Sequence, residues 1–225
     1  MEIVLVRHAE PQWINDGFNY DNPVLTERGF RQAEMLAESL KGQNFSEFHV
    51  SPLVRAQQTS DPITDVVRTR RDTSAWLEEI RSEIWHGTPA EKAEAAFRKV
   101  RTLPSQERWI GLEGGETVRD FVSRIHSGAE QFLADHGITR KDSDLPVWDI
   151  AEPGASLLLV AHAGTNSVII SHLLGLSTVP WEWDRFVLGH TSVTRIEAMK
   201  LGDGYTFCLT RLSDVEHLPA EMRTR

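Results

Sequence analysis

The chain has 225 residues, a length that suits one domain with a single sizeable core. Its composition, with 40% hydrophobic and 25% charged residues, is ordinary for a globular protein. Acidic residues outnumber basic ones by 33 to 24, and the formal net charge is −9, so a nucleic-acid partner, which is usually bound through a basic surface, is not expected.

The first half of the chain alternates strands and helices. Its predicted strands cover residues 3–6, 48–50 and 73–77. The first of these is a continuous apolar run, which is typical of a strand buried on both faces. Thr26 is a good helix N-cap, and the helix that follows is predicted to stop at Gly42. Ser51-Pro52 then opens a second helix.

The second half contains longer elements. Its predicted helices cover residues 89–101, 115–136 and 166–174. A second apolar strand spans 156–161, alternating residues over 186–212 predict two more strands, and the polar segment 140–154 is predicted to be a surface loop. This alternation predicts an α/β fold, as a three-layer α/β/α sandwich around a mostly parallel mixed sheet.

The sequence contains no feature of a secreted or membrane protein. A single cysteine, Cys208, excludes an internal disulfide and a cysteine metal cluster. No apolar run reaches the length of a signal-peptide core or of a membrane span. We therefore expect a cytoplasmic protein that does not contact a membrane.

Two of the predicted strands end in a histidine followed by an alanine. The strand at 3–6 leads to His8, and the strand at 156–161 leads to His162. Ligands in open α/β sheets collect beyond the carboxyl ends of the strands, so we expect both histidines to face one crevice. A helix that starts just after His162 would add positive potential there. A lone histidine after a strand is more often a packed loop residue than a functional one. The residues around the two histidines decide between these readings.

Those neighbours include two arginines and a glutamate. Arg7 precedes His8, Arg55 follows the strand at 48–50, and Glu79 follows the strand at 73–77. A buried guanidinium needs either an anionic ligand or a structural ion pair. With phosphate as the ligand, the arginines would bind its oxygens, one neutral imidazole would attack phosphorus, and the carboxylic acid would protonate the leaving oxygen.

Two histidines and a glutamate also resemble a zinc ligand set. The neighbouring arginines oppose that reading because they would repel a divalent cation, and the chain has no His-Glu-x-x-His helix. We therefore predict that the reaction uses neither a metal nor a cofactor.

Several short motifs follow one another along most of the chain. They are Leu5-Val6-Arg7-His8-Ala9-Glu10, Leu25-Thr26-Glu27-Arg28-Gly29, Ser51-Pro52-Leu53-x-Arg55-Ala56-x-Gln58-Thr59, Leu77-x-Glu79-Ile80, Gly115-Glu116-Thr117 and Val160-Ala161-His162-Ala163-Gly164. In this order the chain resembles the histidine phosphatase superfamily, also called the phosphoglycerate mutase-like family. Each motif alone is a weak signal, but the ordered set is specific.

The resemblance implies a role for each residue of the crevice. His8 corresponds to the histidine that becomes phosphorylated, and Glu79 to the proton donor. Arg7, Arg55 and His162 correspond to the phosphate pocket, and His162 also belongs to the catalytic set. The resemblance therefore implies a phosphatase that hydrolyses phosphomonoesters, most simply a small phosphorylated metabolite, without a metal.

The resemblance also implies the organisation of the chain. It predicts a single histidine phosphatase domain over residues 1–225, with a specificity insertion around 83–113. Glu116 and Arg124 correspond to framework residues of the family. An asparagine often follows the first tryptophan in this family, but here Ile14 follows Trp13, which leaves open whether Ile14 or the next residue, asparagine 15, lines the phosphate pocket.

Two other functions remain open. Mutases of the family carry Arg-His-Tyr-Gly after the equivalent of Glu79, whereas this chain has Ile-Arg-Ser-Glu over 80–83, which favours hydrolysis. A phosphoglycerate mutase-type phosphotransferase is the first alternative. A non-catalytic phosphoprotein-binding module is the second, and the complete set of reactive residues opposes it.

Substrate identity and assembly are least defined by the sequence. The expected specificity elements are residues 85–112, the loop around Trp148, and the pair Trp181 and Trp183. A basic cluster, which could serve a second phosphate, consists of Arg98, Lys99 and Arg101. No role is predicted for His86 and His172, and His190 is interpreted as structural. The alternating strands near the C-terminus could expose an edge for a homodimer.

Overall fold

The computed structural model describes every residue from Met1 to Arg225. Its strands are β1 (Glu2–Arg7), β2 (Ile14–Asn15), β3 (Phe18–Asn19), β4 (Glu47–Val50), β5 (Arg71–Thr73), β6 (Ile138–Arg140), β7 (Trp148–Ile150), β8 (Ser156–Ala161), β9 (Val193–Leu201) and β10 (Gly204–Asp214). Its α-helices are α1 (Glu27–Leu40), α2 (Val54–Val66), α3 (Ala90–Thr102), α4 (Val118–Asp135), α5 (Ala163–Leu173) and α6 (Glu182–Arg185).

Eight strands form one mixed sheet in the order β5-β4-β8-β1-β9-β10-β7-β6, and β2 pairs with β3 in a separate hairpin. The strands from β5 to β1 are parallel neighbours, and every pairing from β1 to β6 is antiparallel. The mixed α/β sheet is therefore confirmed, but parallel pairing is restricted to one half. The reason lies in the connections: helices return the chain between the parallel strands, whereas a tight turn joins β9 to β10 and reverses its direction.

The continuous apolar run of β1 faces two cores. Ile3 and Leu5 belong to a cluster with α4 and α5, while Val4 and Val6 belong to a cluster with α1 and α2. Successive strand residues point to opposite faces of a sheet, so a strand covered by helices on both sides must be apolar throughout. The predicted three-layer α/β/α sandwich is confirmed.

Helix boundaries follow capping side chains. The Thr26 hydroxyl accepts a hydrogen bond from the Gly29 amide at the start of α1, as expected for an N-cap. Thr117 makes the same contact with the Asp120 amide, so α4 begins at Val118. Helix α5 begins three residues earlier than predicted, directly after His162. No helix of the structure combines the length and the apolar character that crossing a bilayer requires.

Two local expectations were wrong. The segment 140–154 is not only a surface loop, because it contains β7, whose Trp148 is 1% exposed and packs its ring 5.6 Å from that of Phe207. A strand this short is hard to detect in a polar segment, and its partner β10 comes from far along the chain. The strand predicted over 73–77 ends at Thr73, and residues 75–77 form one 3₁₀ turn instead.

Residues 83–113, named the cap below, form an irregular helical segment. It contains a 3₁₀ turn at Glu83–Trp85, helix α3, and a second 3₁₀ turn at Glu107–Ile110. The β2–β3 hairpin binds the first part of the cap through two backbone hydrogen bonds. The Gly87 amide donates to the Asn19 carbonyl, and the Ala90 amide donates to the Gly17 carbonyl. This helical segment lies where the specificity insertion was expected.

Candidate active site

The carboxyl ends of β1 and β8 bring two histidines together. The two strands are parallel neighbours, and the residue before His8 pairs with the residue before His162. The imidazole centroids of His8 and His162 are 5.1 Å apart, and both rings are buried. The expectation that the two strand ends bring the histidines together is confirmed.

The position of the proton on His8 follows from its contacts. Its Nδ1 lies 2.7 Å from the carbonyl oxygen of Ala9, which can only accept a hydrogen bond, so Nδ1 carries the proton and Nε2 carries a lone pair. The Nε–H of Arg55 points at that Nε2 from 3.3 Å. Burial, reinforced by the charges of Arg55 and its neighbours, lowers the pKa of His8 well below its ordinary value. The ring is therefore neutral at physiological pH, as a nucleophile must be.

Two arginines face the crevice without a carboxylate partner. Arg7 donates to the carbonyl of Leu188 at 2.6 Å and lies 3.1 Å from Nε2 of His190. Arg55 contacts His8 and donates to a backbone carbonyl at 3.3 Å, and the Trp13 ring centroid lies 4.8 Å from its guanidinium carbon. Burial lowers the pKa of each arginine to about 10, which leaves both charged at neutral pH. This arrangement favours an anionic ligand over the structural ion pair that the sequence left open.

His162 has one nitrogen available for a ligand. Its Nε2 lies 2.7 Å from the hydroxyl of Ser51, the residue that follows β4, while its Nδ1 is buried and has no protein partner. If the Ser51 hydroxyl donates to Nε2, the ring proton resides on Nδ1 and can be donated to an anion. Burial lowers the pKa of His162 well below its ordinary value, with Arg55 and Arg7 adding to the effect.

The carboxylate of Glu79 is hydrogen-bonded to the first turn of α5. Its Oε2 accepts a hydrogen bond from the Gly164 amide at 2.9 Å, and its Oε1 accepts one from the Ile80 amide at 3.0 Å. A Cβ at position 164 would lie 2.5 Å from Oε1, so the approach requires a glycine. The carboxylate is thereby held next to the helix start that follows His162.

A partly buried ion pair holds the backbone that carries Glu79. Arg124 donates two hydrogen bonds of 2.8 Å to the carboxylate of Glu116. It also donates to the carbonyls of Glu78 and Glu79, at 3.1 and 3.2 Å. These contacts agree with the framework role expected for Glu116 and Arg124, because neither side chain reaches the histidines and both position the acid loop.

The chain matches the model of a known family. The family model described as histidine phosphatase superfamily (branch 1) matches residues 3–203. The chain belongs to the histidine phosphatase superfamily. Among curated relatives, the probable phosphoglycerate mutase GpmB of Yersinia pestis is 28% identical over 190 residues, which cover 78% of this chain and 76% of the relative.

Solved structures of the superfamily share the fold over nearly the whole chain. Bacillus stearothermophilus YhfR superposes with a TM-score of 0.73 at 20% identity, covering 96% of this chain and 98% of that one. A phosphoserine phosphatase variant from Entamoeba histolytica, in complex with phosphoserine, gives 0.68 at 19% identity, with coverages of 97% and 99%. Mycobacterial glucosyl-3-phosphoglycerate phosphatase gives 0.69 at 22% identity, with coverages of 94% and 98%. At these identities the similarity establishes the fold alone.

The edge of the sheet that carries Arg7, His8, Arg55, Glu79 and His162 is named the catalytic edge below. This edge and the cap enclose a cavity of about 730 Å³, which Arg55 and Glu79 line but the two histidines do not. Its lining includes Arg55 and Glu79 on one side and residues of α3 on the other. Ile14 lines this cavity, whereas Asn15 does not. The side-chain oxygen of Asn15 instead accepts a hydrogen bond from the Gln12 amide at 3.2 Å. The other lining residues are Trp13, Asn19, Tyr20, Asp21, Ile80, Arg81, Ser82, Ala90, Ala93, Glu94, Phe97, Arg98, Arg101, Leu112 and Glu116.

Only some of the expected specificity elements line this cavity. Residues of the cap line it as expected, and Arg98 and Arg101 are among them, but Lys99 is not. The other expected elements, around Trp148 and at positions 181 and 183, do not line it. Trp148 is a core residue of β7, because its ring packs in the cluster beneath α4 and α5.

The sequence did not predict that His190 lies beside His8 and Arg7. Its ring centroid lies 5.7 Å from that of His8, and its Nε2 contacts the guanidinium of Arg7. Its Nδ1 lies 2.8 Å from the hydroxyl of Thr224, near the C-terminus. Burial, with the charge of Arg7, lowers its pKa to about 3. No motif marks this residue, and only the pairing of β9 with β1 brings it to the site.

Proposed function

We propose that this member of the superfamily is a phosphatase that hydrolyses phosphomonoesters through a phosphohistidine intermediate. The observation that carries the proposal is the state of His8. Its proton is held on Nδ1 by the Ala9 carbonyl, its Nε2 lone pair faces the Nε–H of Arg55 at 3.3 Å, and neither Arg7 nor Arg55 has a carboxylate partner. A neutral imidazole next to unpaired buried cations suits attack on a bound phosphate.

In the first step the phosphate binds between Arg7, Arg55 and His162. Nε2 of His8 attacks phosphorus, a P–N bond forms, and the bond from phosphorus to the leaving oxygen breaks. Glu79, in its acid form, gives its proton to that oxygen. The arginines offset the charge that develops on the phosphoryl oxygens, and Nδ1 of His162 donates a further hydrogen bond.

The second step reverses the proton transfer. Glu79, now a carboxylate, takes a proton from a water molecule that attacks phosphorus. The P–N bond breaks, inorganic phosphate leaves, and His8 returns to its neutral state with the proton still on Nδ1. No step of this sequence uses a metal ion or a cofactor.

The cavity supports a small phosphorylated metabolite as the substrate. Arg55 and Glu79, two residues of the proposed mechanism, line a space whose walls also include Trp13, Tyr20 and Phe97, which suits an apolar or aromatic body. Arg98 and Arg101 on α3 line the same space and can meet a second acidic group. The cap is therefore proposed as the specificity insertion of a single domain spanning residues 1–225.

The curated relative named as a probable phosphoglycerate mutase favours one alternative, a phosphotransferase that returns the phosphate to another hydroxyl. The two functions share the first step and differ in what accepts the phosphate from His8. Water is the acceptor in a phosphatase, and a hydroxyl of the same sugar acid is the acceptor in a mutase.

The experiment that tests the proposal is hydrolysis of an aryl phosphate, with and without a chelator, combined with a search for acid-labile phosphate on the protein. We expect turnover that resists the chelator and phosphate that is lost in acid. A parallel assay supplies 3-phosphoglycerate with a bisphosphoglycerate primer, and isomerisation faster than hydrolysis would favour the mutase. Absence of both turnover and label would contradict the phosphatase and leave the binding module.

A further inference from the structure

Strand β4 carries two polar residues where its neighbour carries leucines. Glu47 and His49 lie two residues apart and therefore on the same face of the sheet. Their partners on β8 are Leu157 and Leu159, which belong to the core under α4 and α5. The side chain of Glu47 is 41% exposed, whereas that of His49 is only 12% exposed, so the imidazole needs polar partners at this position.

A third polar side chain reaches this pair from the end of α4. Nε2 of His49 lies 3.1 Å from one carboxylate oxygen of Glu47, and Nε2 of His136 lies 3.6 Å from the other. One atom from each of the three side chains lies within 4.8 Å of the other two. His136 follows the last residue of α4, so the cluster connects the start of β4 to the end of that helix.

The orientation of His136 points to a cation in the middle of the cluster. Its Nδ1 lies 2.6 Å from the Phe132 carbonyl, which can only accept, so Nδ1 carries the proton in the neutral ring. The lone pair of Nε2 then faces the Glu47 carboxylate, whose Oε1 lies 3.6 Å away, so both atoms can bind the same cation.

The contacts on the far side of both rings match those of metal-bound histidines. A metal-binding imidazole uses one nitrogen for the metal and its other N–H for a carbonyl, carboxylate or hydroxyl that fixes the ring. His136 has the Phe132 carbonyl in that position, and His49 has the Ser74 hydroxyl 2.9 Å from its Nδ1. Both Nε2 atoms are thereby directed toward Glu47.

The cluster opens into a second cavity, of about 320 Å³, separate from the catalytic one. Glu47 and His136 line it, together with the carboxylate-bearing residues Asp135 and Glu152. The opening gives an ion a path from solvent and leaves room for a water ligand. The carboxylates around it attract a cation.

We propose that Glu47, His49 and His136 bind a zinc ion, with water as the fourth ligand. Two imidazole nitrogens and one carboxylate oxygen suit Zn²⁺, which prefers four tetrahedral ligands of this kind. The ion would tie β4 to the end of α4. The mechanism proposed above does not involve it, because Glu47 begins β4 whereas Ser51, the partner of His162, follows the other end of that strand.

The test is a titration of the metal-free protein with Zn²⁺, followed by calorimetry, and with Co²⁺, followed by visible absorption. We expect one equivalent of Zn²⁺ to bind and to raise Tm, and Co²⁺ to give the intense bands of a tetrahedral site. Glu47→Gln and His136→Gln should each weaken Zn²⁺ binding by about tenfold or more. Both variants should still hydrolyse an aryl phosphate, which shows that they fold.

Two controls separate this site from other histidines. His126→Gln removes another histidine of α4, whose ring lies 5.2 Å from that of His172, and should bind Zn²⁺ as the wild type does. His8→Asn should also retain binding. Loss of binding in His8→Asn with full binding in His136→Gln would assign the ion to the catalytic histidines and overturn the proposal. The absence of saturable binding would overturn it as well.

Discussion

The catalytic edge and the cap face each other across one cavity but are built differently. At the edge, His8, Arg55 and His162 are almost completely buried, and each has a fixed protein contact. In the cap, helix α3 has a single buried residue, Ala93, and the side chain of Phe97 on the same helix is 42% exposed. The part that would perform the chemistry is therefore tightly packed, and the part that would choose the substrate makes few buried contacts.

This difference has an energetic basis. A nucleophile and its phosphate ligands must be held in position, and strand ends in a packed sheet hold them well. A segment with few buried apolar contacts opens locally at small cost in free energy and tolerates substitution. Changes at the catalytic edge should therefore reduce the rate of the chemical step, whereas changes in the cap should alter substrate preference.

The largest effect is expected at His8. His8→Ala removes the nitrogen that attacks phosphorus, so turnover of an aryl phosphate should fall by about 10³-fold or more, and acid-labile phosphate on the protein should disappear. The readouts are steady-state kinetics and acid treatment of protein labelled with radioactive phosphate. His86→Ala, which removes a half-exposed histidine of the cap, is the matched control and should still become labelled. Undiminished activity in His8→Ala would rule out the nucleophile.

A smaller effect is expected where the edge holds Glu79. Gly164→Ala places a Cβ against Oε1 of Glu79 and displaces the proposed proton donor, so kcat should fall by about 10- to 100-fold with little change in KM. Gly154→Ala is the control, since a Cβ there meets nothing within 4 Å. Equal kcat values for the two variants would show that the position of Glu79 does not limit the rate.

The pH dependence of stability should also distinguish the two regions. The pKa of His190 is about 3 in the folded protein and about 6.5 when unfolded, so between these values the unfolded chain binds more protons. Stability is then lost as the pH falls below about 6.5, and this histidine should contribute a loss of about 2 kcal/mol between about pH 7.5 and pH 5.

Urea unfolding at the two pH values measures this loss. His190→Gln should reduce the difference in unfolding free energy between them, whatever its effect on absolute stability. His86→Gln, at a cap position whose side chain is 54% exposed, should keep the wild-type difference. The assignment fails if His190→Gln and the wild type lose the same free energy on acidification.

The smallest effect is expected at the far wall of the cavity. Arg98→Ala and Arg101→Ala should raise KM by about two- to fivefold for phosphomonoesters that carry a second acidic group, because an exposed ion pair contributes about 1 kcal/mol or less. The kcat for a plain aryl phosphate should not change. Lys99→Ala is the control, since Lys99 lies on the same helix but does not line the cavity. A similar rise in KM for all three variants would indicate a general charge effect.

Much of the catalytic edge was predictable because its signals are local. The apolar runs that form β1 and β8 lead to His8 and His162. Because ligands bind beyond the carboxyl ends of parallel strands, the sequence predicted that the two histidines lie close together. The N-cap at Thr26 was correct for the same reason, since a cap depends on residues within one helical turn. The cap was predicted as a segment, but which of its arginines face the cavity depends on the rotation of α3.

By itself, the sequence determined most of the longer helices and strands and several of the residues at their ends, because hydrophobic period and capping are properties of neighbouring residues. Only the tertiary structure decided that His190 supports Arg7, that Trp148 is buried, and that His136 meets the polar pair on β4. These contacts join residues far apart in the chain, and they depend on the order of strands in the sheet, which no local pattern encodes.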